Sequence, residues 1–318
     1  MEEIIMLEPV FKHCIWGGTR LREEYGYAVG GDDIGECWGI AAHENGDCTV
    51  KNGKNAGEKL SWLWKNRPEL FGYQEGDRFP LLVKIIDAGA DLSIQVHPDD
   101  DYAREHEGSP GKTECWYVLD CPTQASLVIG HNAGTKQELQ EMVQEGRWQE
   151  LIREVPVKKG DFLQIDPGTI HAIKGGMTIL EIQQNSDITY RVYDYGRLCN
   201  GRPRPLHIRE SLDVITVPAA LPRQLILHTD KMEVNRFHLL ISCPFYLVYK
   251  LEVRGETAFD QNGPFLCLSV AEGDGSLNGT PLKKGDQLLL PNQFGRVKLQ
   301  GDMLLIAAAV HKNQPSRR

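Results

Sequence analysis

The strongest constraint on this chain is a series of short runs of apolar and β-branched residues, separated by glycine, proline and polar turn residues. Runs of this length and spacing are typical of β-sandwiches and barrels, whose short strands are joined by tight turns. The clearest runs are Leu81–Ile86, Leu92–Val96, Cys115–Leu119, Ser126–Ile129, Phe162–Ile165, Thr178–Gln183, Phe245–Leu251, Gln287–Leu290 and Leu304–Val310. The sequence therefore predicts a mainly β protein with antiparallel sheets.

Helical signals are fewer and predict only peripheral helices. A helix over Glu58–Asn66 ends before Pro68, because proline cannot continue a helix. Thr135 and Glu138 form a capping-box pattern that predicts a second helix start. A third helix is predicted to begin at Pro98, since proline suits the first helical position and the aspartates after it favour the positive end of the helix dipole.

One segment of the chain has a similar counterpart near the C-terminus. Lys158–Pro167 and Lys283–Pro291 both read Lys-Lys-Gly-Asp, then a short apolar run, then proline, which predicts one β unit used twice. Only the first copy continues to a histidine, His171, so only the first carries a candidate metal ligand. We therefore predict two β-sandwich units: a metal-binding domain at residues 1–225 and a degenerate domain without metal ligands at residues 226–318.

Length and charge narrow the functional classes. The 318 residues suffice for about two domains. A net charge of −9, with no block of Lys or Arg, argues against a nucleic-acid-binding protein, which needs a basic face. No apolar run is long enough to span a membrane, and the N-terminus lacks the pattern of a secretory signal.

We therefore expect a cytoplasmic protein with no membrane or nucleic-acid partner. In that compartment most of the cysteines should be reduced residues of the core. The sequence carries no signal of oligomeric state.

Polar side chains converge on one side of the predicted strand that leads to His97. Side chains alternate between the two faces of a strand, so Ser93, Gln95 and His97 share one face. By the same alternation Lys112 and Glu114 share a face of the next strand, although such a pair at a strand entrance is commonly exposed to solvent. These positions are candidates for a functional cleft.

Two imidazoles and one carboxylate form a candidate metal-binding set. His97, Glu114 and His171 supply the donors that hold a catalytic divalent cation with open positions for a substrate. Gln95, on the strand of His97, offers a neutral oxygen as a further ligand. The same donor set suits zinc and Fe(II), so the donors alone do not select the metal.

Six motifs lie in order along the chain: Pro9–Gly18, Gly35–Trp38, Ser93–Pro98, Lys112–Glu114, Pro167–Ala172 and Thr189–Asp194. Together they resemble the type I mannose-6-phosphate isomerases (phosphomannose isomerases) in their shorter bacterial form. The resemblance implies a cupin fold of double-stranded β jelly rolls and one Zn²⁺ per chain. It also implies interconversion of mannose 6-phosphate and fructose 6-phosphate through an enediol(ate) that the metal stabilises.

The resemblance also assigns roles to individual residues. The implied zinc ligands are Gln95, His97, Glu114 and His171. The implied catalytic residues are Arg191, Lys112 and Glu36, and the implied substrate-binding residues are Trp16, Ser93, Lys112 and Arg191. The chain departs from the longer family members in lacking their large helical insertion and in carrying Ile173 where they carry tyrosine.

The chemistry of this isomerisation sets two further requirements. A base must remove a weakly acidic C–H proton, and Glu36, Lys112, a metal-free His97 or a hydroxide on the metal all fit that role. A phosphate must be held in an otherwise acidic protein, for which Lys112 and Arg191, with the Ser93 hydroxyl, are the candidates. The proton carrier stays open at this point.

Two other function classes fit the same residues. A non-haem iron oxygenase also uses two histidines and a carboxylate, and would be recognised by oxygen consumption with iron. A non-catalytic sugar-binding cupin would bind a sugar phosphate without exchanging its isomers.

Overall fold

The computed structural model describes residues 3–221 and 226–312. The first strands are β1 (Ile5–Glu8), β2 (Val10–Gly18), β3 (Ile34–Ile40), β4 (Ala42–His43), β5 (Gly46–Asp47), β6 (Thr49–Val50), β7 (Leu81–Ala88) and β8 (Ile94–Val96). The middle strands are β9 (Glu114–Asp120), β10 (Ser126–His131), β11 (Ile152–Pro156), β12 (Asp161–Ile165), β13 (His171–Ala172), β14 (Met177–Gln184), β15 (Tyr190–Tyr193), β16 (Leu198–Cys199) and β17 (Arg202–Pro203). The last strands are β18 (Ile226–His228), β19 (His238–Ser242), β20 (Leu247–Gln261), β21 (Leu266–Leu277), β22 (Thr280–Lys283), β23 (Gln287–Leu290) and β24 (Gly295–Ala309).

Short helices flank these strands. They are α1 (Arg20–Glu23), α2 (Leu60–Asn66), α3 (Asp100–Glu107), α4 (Lys136–Gln144), α5 (Trp148–Leu151) and α6 (Ile208–Val214), with single 3₁₀ turns at Gly53–Asn55 and Pro68–Phe71. Strand pairing is antiparallel throughout the three large sheets, so the prediction of a mainly β, antiparallel protein is confirmed. No helix in residues 3–221 and 226–312 is long and apolar enough to cross a membrane.

The N-terminal part is a sandwich of two sheets. One sheet has seven strands in the order β18-β12-β9-β14-β7-β2-β3, and the other has five in the order β11-β10-β13-β8-β15. A hydrophobic cluster that draws on both sheets fills the space between them; its members include Trp16, Ile86, Trp116, Leu127 and Val155. This sandwich places the candidate ligands on facing sheets.

The seven-stranded sheet is buried on both faces. Along β9, Trp116 and Val118 point into the sandwich, whereas Cys115 and Tyr117 point to the opposite face and join a second cluster. Each face of β9 therefore packs against its own hydrophobic core. This explains why the predicted strand Cys115–Leu119 is a continuous apolar run. Polar side chains on such a strand lie in the interior of the protein.

The C-terminal part is one eight-stranded sheet with the order β19-β20-β24-β21-β23-β1-β6, and β22 pairs with β21. Its long strands carry positive-φ glycines at neighbouring register positions, including Gly273 and Gly301. A Cβ atom at Gly273 would lie 1.9 Å from the Asp302 carbonyl oxygen, so only glycine fits this close approach of two strands. Leucine and valine side chains of these strands form a separate core.

The two units exchange strands with one another. β1, at the N-terminus, pairs with β23 of the C-terminal sheet, and β18 pairs with β12 of the first sandwich. The division at 225/226 stays a prediction, and residues 222–225, at that division, lie outside the described residues.

The two similar segments fold into the same turn. In the first, the Lys158 N–H donates to Asp161 Oδ2 at 2.9 Å, and in the second the Lys283 N–H donates to Asp286 Oδ2 at 2.9 Å. The glycine of each turn adopts a left-handed conformation, with φ of 87° and 92°. β12 follows the first turn and β23 follows the second. The repeated β unit is therefore present twice, once in the seven-stranded sheet, which contains β12, and once in the eight-stranded sheet, which contains β23.

Two helix predictions are confirmed and one start is wrong. α2 ends at Asn66, before Pro68, and the Thr135 Oγ1 atom caps α4 by accepting from the Glu138 N–H at 3.1 Å. The third helix begins at Asp100 rather than Pro98, because the Asp99 carboxylate caps it and the Pro98 carbonyl instead accepts from the Lys112 N–H.

Cysteine burial agrees with the core interpretation. Four thiols are fully buried, and Cys14, Cys121 and Cys243 pack against the hydrophobic clusters. Only Cys199 lies apart from the clusters, in β16.

Candidate active site

Three strands bring the candidate ligands together. His97 directly follows β8, His171 begins β13, and Glu114 begins β9. β13 and β8 are hydrogen-bonded neighbours in which His171 pairs with Gln95, whereas β9 belongs to the facing sheet. The two imidazoles therefore approach the carboxylate across the interior of the sandwich.

The ligand atoms of His97, Glu114 and His171 all lie within 4.8 Å of one another. The two imidazole Nε2 atoms are 3.2 Å apart, and each lies 3.4 Å from one oxygen of the Glu114 carboxylate. All three side chains are at most 1% exposed. The sequence-predicted triad is thus assembled in the interior, and the Gln95 side-chain amide lies 3.3 Å from His171 Nε2.

The triad fits a divalent cation. The Nδ1 atom of His171 lies 2.9 Å from the Thr169 carbonyl, which fixes the proton on Nδ1 and leaves the Nε2 lone pair facing the other two ligands. Glu114 Oε1 is buried with no hydrogen-bond partner in the described part of the chain, as expected of an atom that ligates an ion. Two nitrogens and a carboxylate oxygen are donors that zinc and other catalytic divalent metals accept.

Burial and the neighbouring Lys112 charge together set the pKa values of the triad. Burial lowers the pKa of His97 to about 3, with the neighbouring Lys112 charge as the second cause, so the imidazole is neutral and free to ligate. Burial also lowers the pKa of His171. For Glu114, burial alone would raise the pKa, but Lys112 and His97 outweigh it and hold the pKa well below its usual range.

A chain of alternating charges extends from the triad. Lys112 Nζ donates to Glu114 Oε2 and lies 3.5 Å from Glu181 Oε1. Lys84 Nζ lies 3.4 Å from that same Glu181 oxygen and 3.8 Å from Glu36 Oε2. Lys84, Lys112 and Glu181 are all at most 5% exposed, so these charges compensate one another within the protein.

Two members of this chain have perturbed proton affinities. Burial, followed by the Glu114 charge, raises the pKa of Glu181. For Lys84, burial would lower the pKa, but Glu36 and Glu181 outweigh it and raise the pKa. Perturbed groups that share a cleft are candidates for proton transfer.

A cleft of about 310 Å³ opens above this network. Six residues predicted from the sequence line it: Trp16, Glu36, Ser93, Gln95, Lys112 and Arg191. The predicted shared face of Ser93, Gln95 and His97 is confirmed. Ser93 and Gln95 both line the cleft, and the Gln95 amide lies 3.3 Å from His171 Nε2, which is 3.2 Å from His97 Nε2. The predicted shared face of Lys112 and Glu114 is confirmed by their direct contact.

Sequence reasoning missed several residues of the cleft, namely Lys12, Trp38, Lys84, Glu181, Asp187 and Arg204. The sequence does contain a pattern that could have identified Lys84 and Glu181. Each is a charged residue flanked by apolar residues within a strand that is buried along its whole length. Charged residues are rarely fully buried without a partner, so such a position indicates an internal ion pair. Arg204 had no such signal, since it lies in a polar segment rich in arginine and proline.

The fold and the site define a class: a β-sandwich protein with a buried two-histidine, one-carboxylate centre beneath a polar cleft. Residues 4–117 match the family described as "Phosphomannose isomerase type I, catalytic domain", and residues 236–310 match "Mannose-6-phosphate isomerase, cupin domain". The cupin fold class is thereby shown.

Full-length relatives agree with both family matches. The chain is 48% identical over 305 residues to the mannose-6-phosphate isomerase ManA of Bacillus subtilis, covering 94% of this chain and 96% of the relative. It is 45% identical over 322 residues to the mannose-6-phosphate isomerase of Streptococcus mutans, covering 99% and 100%. A crystal structure of the Bacillus subtilis mannose 6-phosphate isomerase superposes with a TM-score of 0.91 at 43% identity, covering 97% of this chain and 100% of that one. The chain belongs to the type I mannose-6-phosphate isomerase family of aldose–ketose isomerases.

Proposed function

We propose that this protein interconverts mannose 6-phosphate and fructose 6-phosphate with one zinc ion, held by His97, Glu114 and His171 with Gln95 as a further ligand. The observation that carries the proposal is the buried triad, whose ligand atoms all lie within 4.8 Å of one another and whose direct neighbours Gln95 and Lys112 line a polar cleft. When bound there, a divalent cation supplies electrostatic stabilisation of the negative charge that develops on the two sugar oxygens of the enediolate.

The proton is proposed to move through the pair formed by Glu181 and Lys112. Glu181 lines the cleft, and its Oε1 atom is buried without a hydrogen-bond partner among the described residues, while its Oε2 atom accepts from Trp116 Nε1 at 3.1 Å. Its raised pKa suits a carboxyl group that both takes and returns a proton. Lys112, 3.5 Å away, stabilises the ionised form when the proton leaves.

Glu36 fits a supporting role better than that of the base. Its Oε2 atom accepts from Trp38 Nε1 at 2.5 Å and faces Lys84 at 3.8 Å, so the carboxylate is already engaged. We propose that Glu36 keeps Lys84 in place and accepts a hydrogen bond from a sugar hydroxyl. Trp16, which is 6% exposed and contributes to the sandwich core, forms an apolar wall of the same cleft.

The phosphate is proposed to bind at the arginine side of the cleft. Lys112, one of the two sequence candidates, is 4% exposed and already paired with Glu114, so its charge is offset. Arg191, the other candidate, donates from Nε to the Pro205 carbonyl and has no carboxylate within hydrogen-bonding distance among the described residues. An always-protonated guanidinium in that state suits a dianionic phosphate, with the Ser93 hydroxyl as a nearby donor.

A coupled isomerase assay with mannose 6-phosphate, before and after chelation and zinc restoration, tests this function. Chelation should abolish turnover and zinc should restore it. His97→Ala should lose metal and activity together, whereas Arg191→Ala should keep its metal and lose turnover by about 100-fold or more, since one charge-assisted contact is worth about 1.5–3 kcal/mol and orientation adds to it.

Arg236→Ala is a matched control, because in the described part of the chain Arg236 pairs with the exposed Glu233 and does not line the cleft. It should leave both metal content and turnover unchanged. Full turnover by metal-free His97→Ala protein would refute the zinc role. Oxygen uptake with iron in place of isomer exchange would instead favour an oxygenase.

A further inference from the structure

A buried carboxylate connects the strand of Arg191 to a second arginine at the cleft. Asp194 lies just after β15 and is 4% exposed. Its carboxylate accepts from Arg204 Nε at 2.8 Å and from Arg204 Nη2 at 2.6 Å, a side-on, two-bond pair. Arg204 in turn lines the cleft together with Arg191. The two guanidinium groups thus face one cavity, and within residues 3–221 and 226–312 only Arg204 has a carboxylate partner.

The backbone around Arg204 is also fixed against β15. Arg204 lies between Pro203 and Pro205, whose rings restrict the chain to extended conformations. The Pro205 carbonyl accepts from Arg191 Nε at 3.2 Å, and the His207 N–H donates to the Arg191 carbonyl at 2.9 Å. Each arginine is therefore held by the segment that carries the other.

We propose that Asp194 is a positioning residue that holds the Arg204 guanidinium at the cleft, so that Arg204 and Arg191 together contact the phosphate of the sugar substrate. This inference rests on the proposed function. A guanidinium carries five N–H groups, and Asp194 accepts from two of those on Arg204. The remaining N–H groups of Arg204 can donate to an anion. Two like charges facing one cavity repel each other, and the Asp194 carboxylate offsets that repulsion when no substrate is bound.

Five readouts separate this role from a purely structural one. Asp194→Asn keeps the shape of the side chain and removes its charge. We expect it to raise the KM for mannose 6-phosphate and the Ki for inorganic phosphate by about tenfold, the size of one charge-assisted contact. The metal content should be unchanged and kcat should change by less than about threefold. Turnover of unphosphorylated mannose should not change.

A double-mutant cycle shows whether Asp194 acts through Arg204. Arg204→Ala should raise the Ki for phosphate at least as much as Asp194→Asn does, and the double variant should be no worse than Arg204→Ala alone. Multiplicative effects, or an unchanged Ki for phosphate in either single variant, would overturn the proposal. Arg197→Ala is a comparison variant, because Arg197 also contacts Asp194, at 2.5 Å, but does not line the cleft; it should change the Ki much less.

Phosphate binding also separates this inference from the proposed function. If the wild-type protein binds phosphate but does not isomerise mannose 6-phosphate, the function fails while the Asp194–Arg204 coupling can still be measured. If Asp194→Asn does not fold, Arg204→Lys keeps the test decisive, because a lysine keeps the charge but loses the two-bond pair with Asp194. Wild-type phosphate affinity in Arg204→Lys would then contradict the proposal.

Discussion

At the scale of single residues, the charged side chains inside apolar strands determine the electrostatics of the cleft. Lys84 and Glu181 occupy strands β7 and β14, in which every residue is buried. These strands pair directly, with Lys84 opposite Glu181, so the two charges meet across one register position. Both ionisable groups line the cleft, and Lys112 connects Glu181 to the candidate metal-binding triad.

We expect Lys84→Met to keep its metal but to lower kcat/KM by about 100-fold, because it removes a buried positive charge that is held in place at the cleft. It should also destabilise the fold by about 3–5 kcal/mol, since Glu181 and Glu36 are left without that partner. Metal analysis, kinetics and thermal unfolding measure the three quantities.

The double variant Lys84→Met/Glu181→Gln is the matched control for this prediction. It should recover much of the stability, because Glu181 no longer leaves a buried charge without Lys84. Its activity should stay low in any case, since Glu181 is the proposed proton carrier. A double variant no more stable than Lys84→Met would show that the loss of the Lys84–Glu181 pair does not cause the destabilisation.

Much of this site could be predicted from the sequence, and the rest depended on contacts between distant segments. His97, Glu114 and His171 were recognisable because imidazole and carboxylate are metal ligands and strand alternation fixes their faces. Lys84 is missed because the apolar residues of Leu81–Ile86 predict a buried strand, and the single lysine within that strand is not considered as a functional group. The Asp194–Arg204 pair depends on how the segment after β15 folds back, which no local pattern specifies.

At the scale of elements, the twin turns allow one structural unit to be compared in two environments. The Asp161 carboxylate is fully buried and also contacts His228 at 2.7 Å, whereas Asp286 is partly exposed. Both aspartates accept the same backbone N–H bond within their turn. The difference between them is therefore one of burial and of one additional partner.

We expect Asp161→Ala to cost about 2–3 kcal/mol of unfolding free energy and Asp286→Ala about 1 kcal/mol. The reason is that a buried donor left unsatisfied costs more than an exposed one that water can reach. Urea unfolding of the two variants measures the difference. Equal losses would show that the turn bond alone sets the cost.

Element boundaries were predicted best where each element ends at a turn residue. β23 matches the predicted Gln287–Leu290, which is bounded by a Gly-Asp turn and Pro291. β20 runs to Gln261, ten residues beyond its predicted end at Leu251, because Gly255 continues the strand instead of ending it. A glycine in a long strand and a glycine in a turn look alike in sequence, and only the pairing with β24 distinguishes them.

At the scale of the whole molecule, one hydrophobic cluster joins the two units. Phe265 of the C-terminal part packs against Trp64, Phe71 and Phe79, with ring centroids 5.5 to 6.3 Å apart. The same cluster includes residues of β9, the strand that begins with Glu114. The C-terminal sheet therefore covers the outer face of the sheet that carries the candidate ligand Glu114.

We expect Phe265→Ala to lower the unfolding free energy by about 3–5 kcal/mol, because it empties a buried aromatic site. Unfolding should remain a single transition in which activity and circular dichroism are lost together, since the cluster belongs to both units. Val253→Ala, within the separate core of the C-terminal sheet, is the comparison. A two-step transition in which activity outlasts the C-terminal unit would contradict this.

The position of the triad between facing sheets has a mechanical consequence. The two imidazoles are attached to the five-stranded sheet and the carboxylate to the seven-stranded sheet. An ion shared by these side chains would be a cross-link between the two layers, in addition to the side-chain packing of the core between them. Any sliding of one layer over the other would stretch the bonds between the ion and its ligands. The centre proposed for catalysis would therefore also fix the distance between the two sheets of the sandwich.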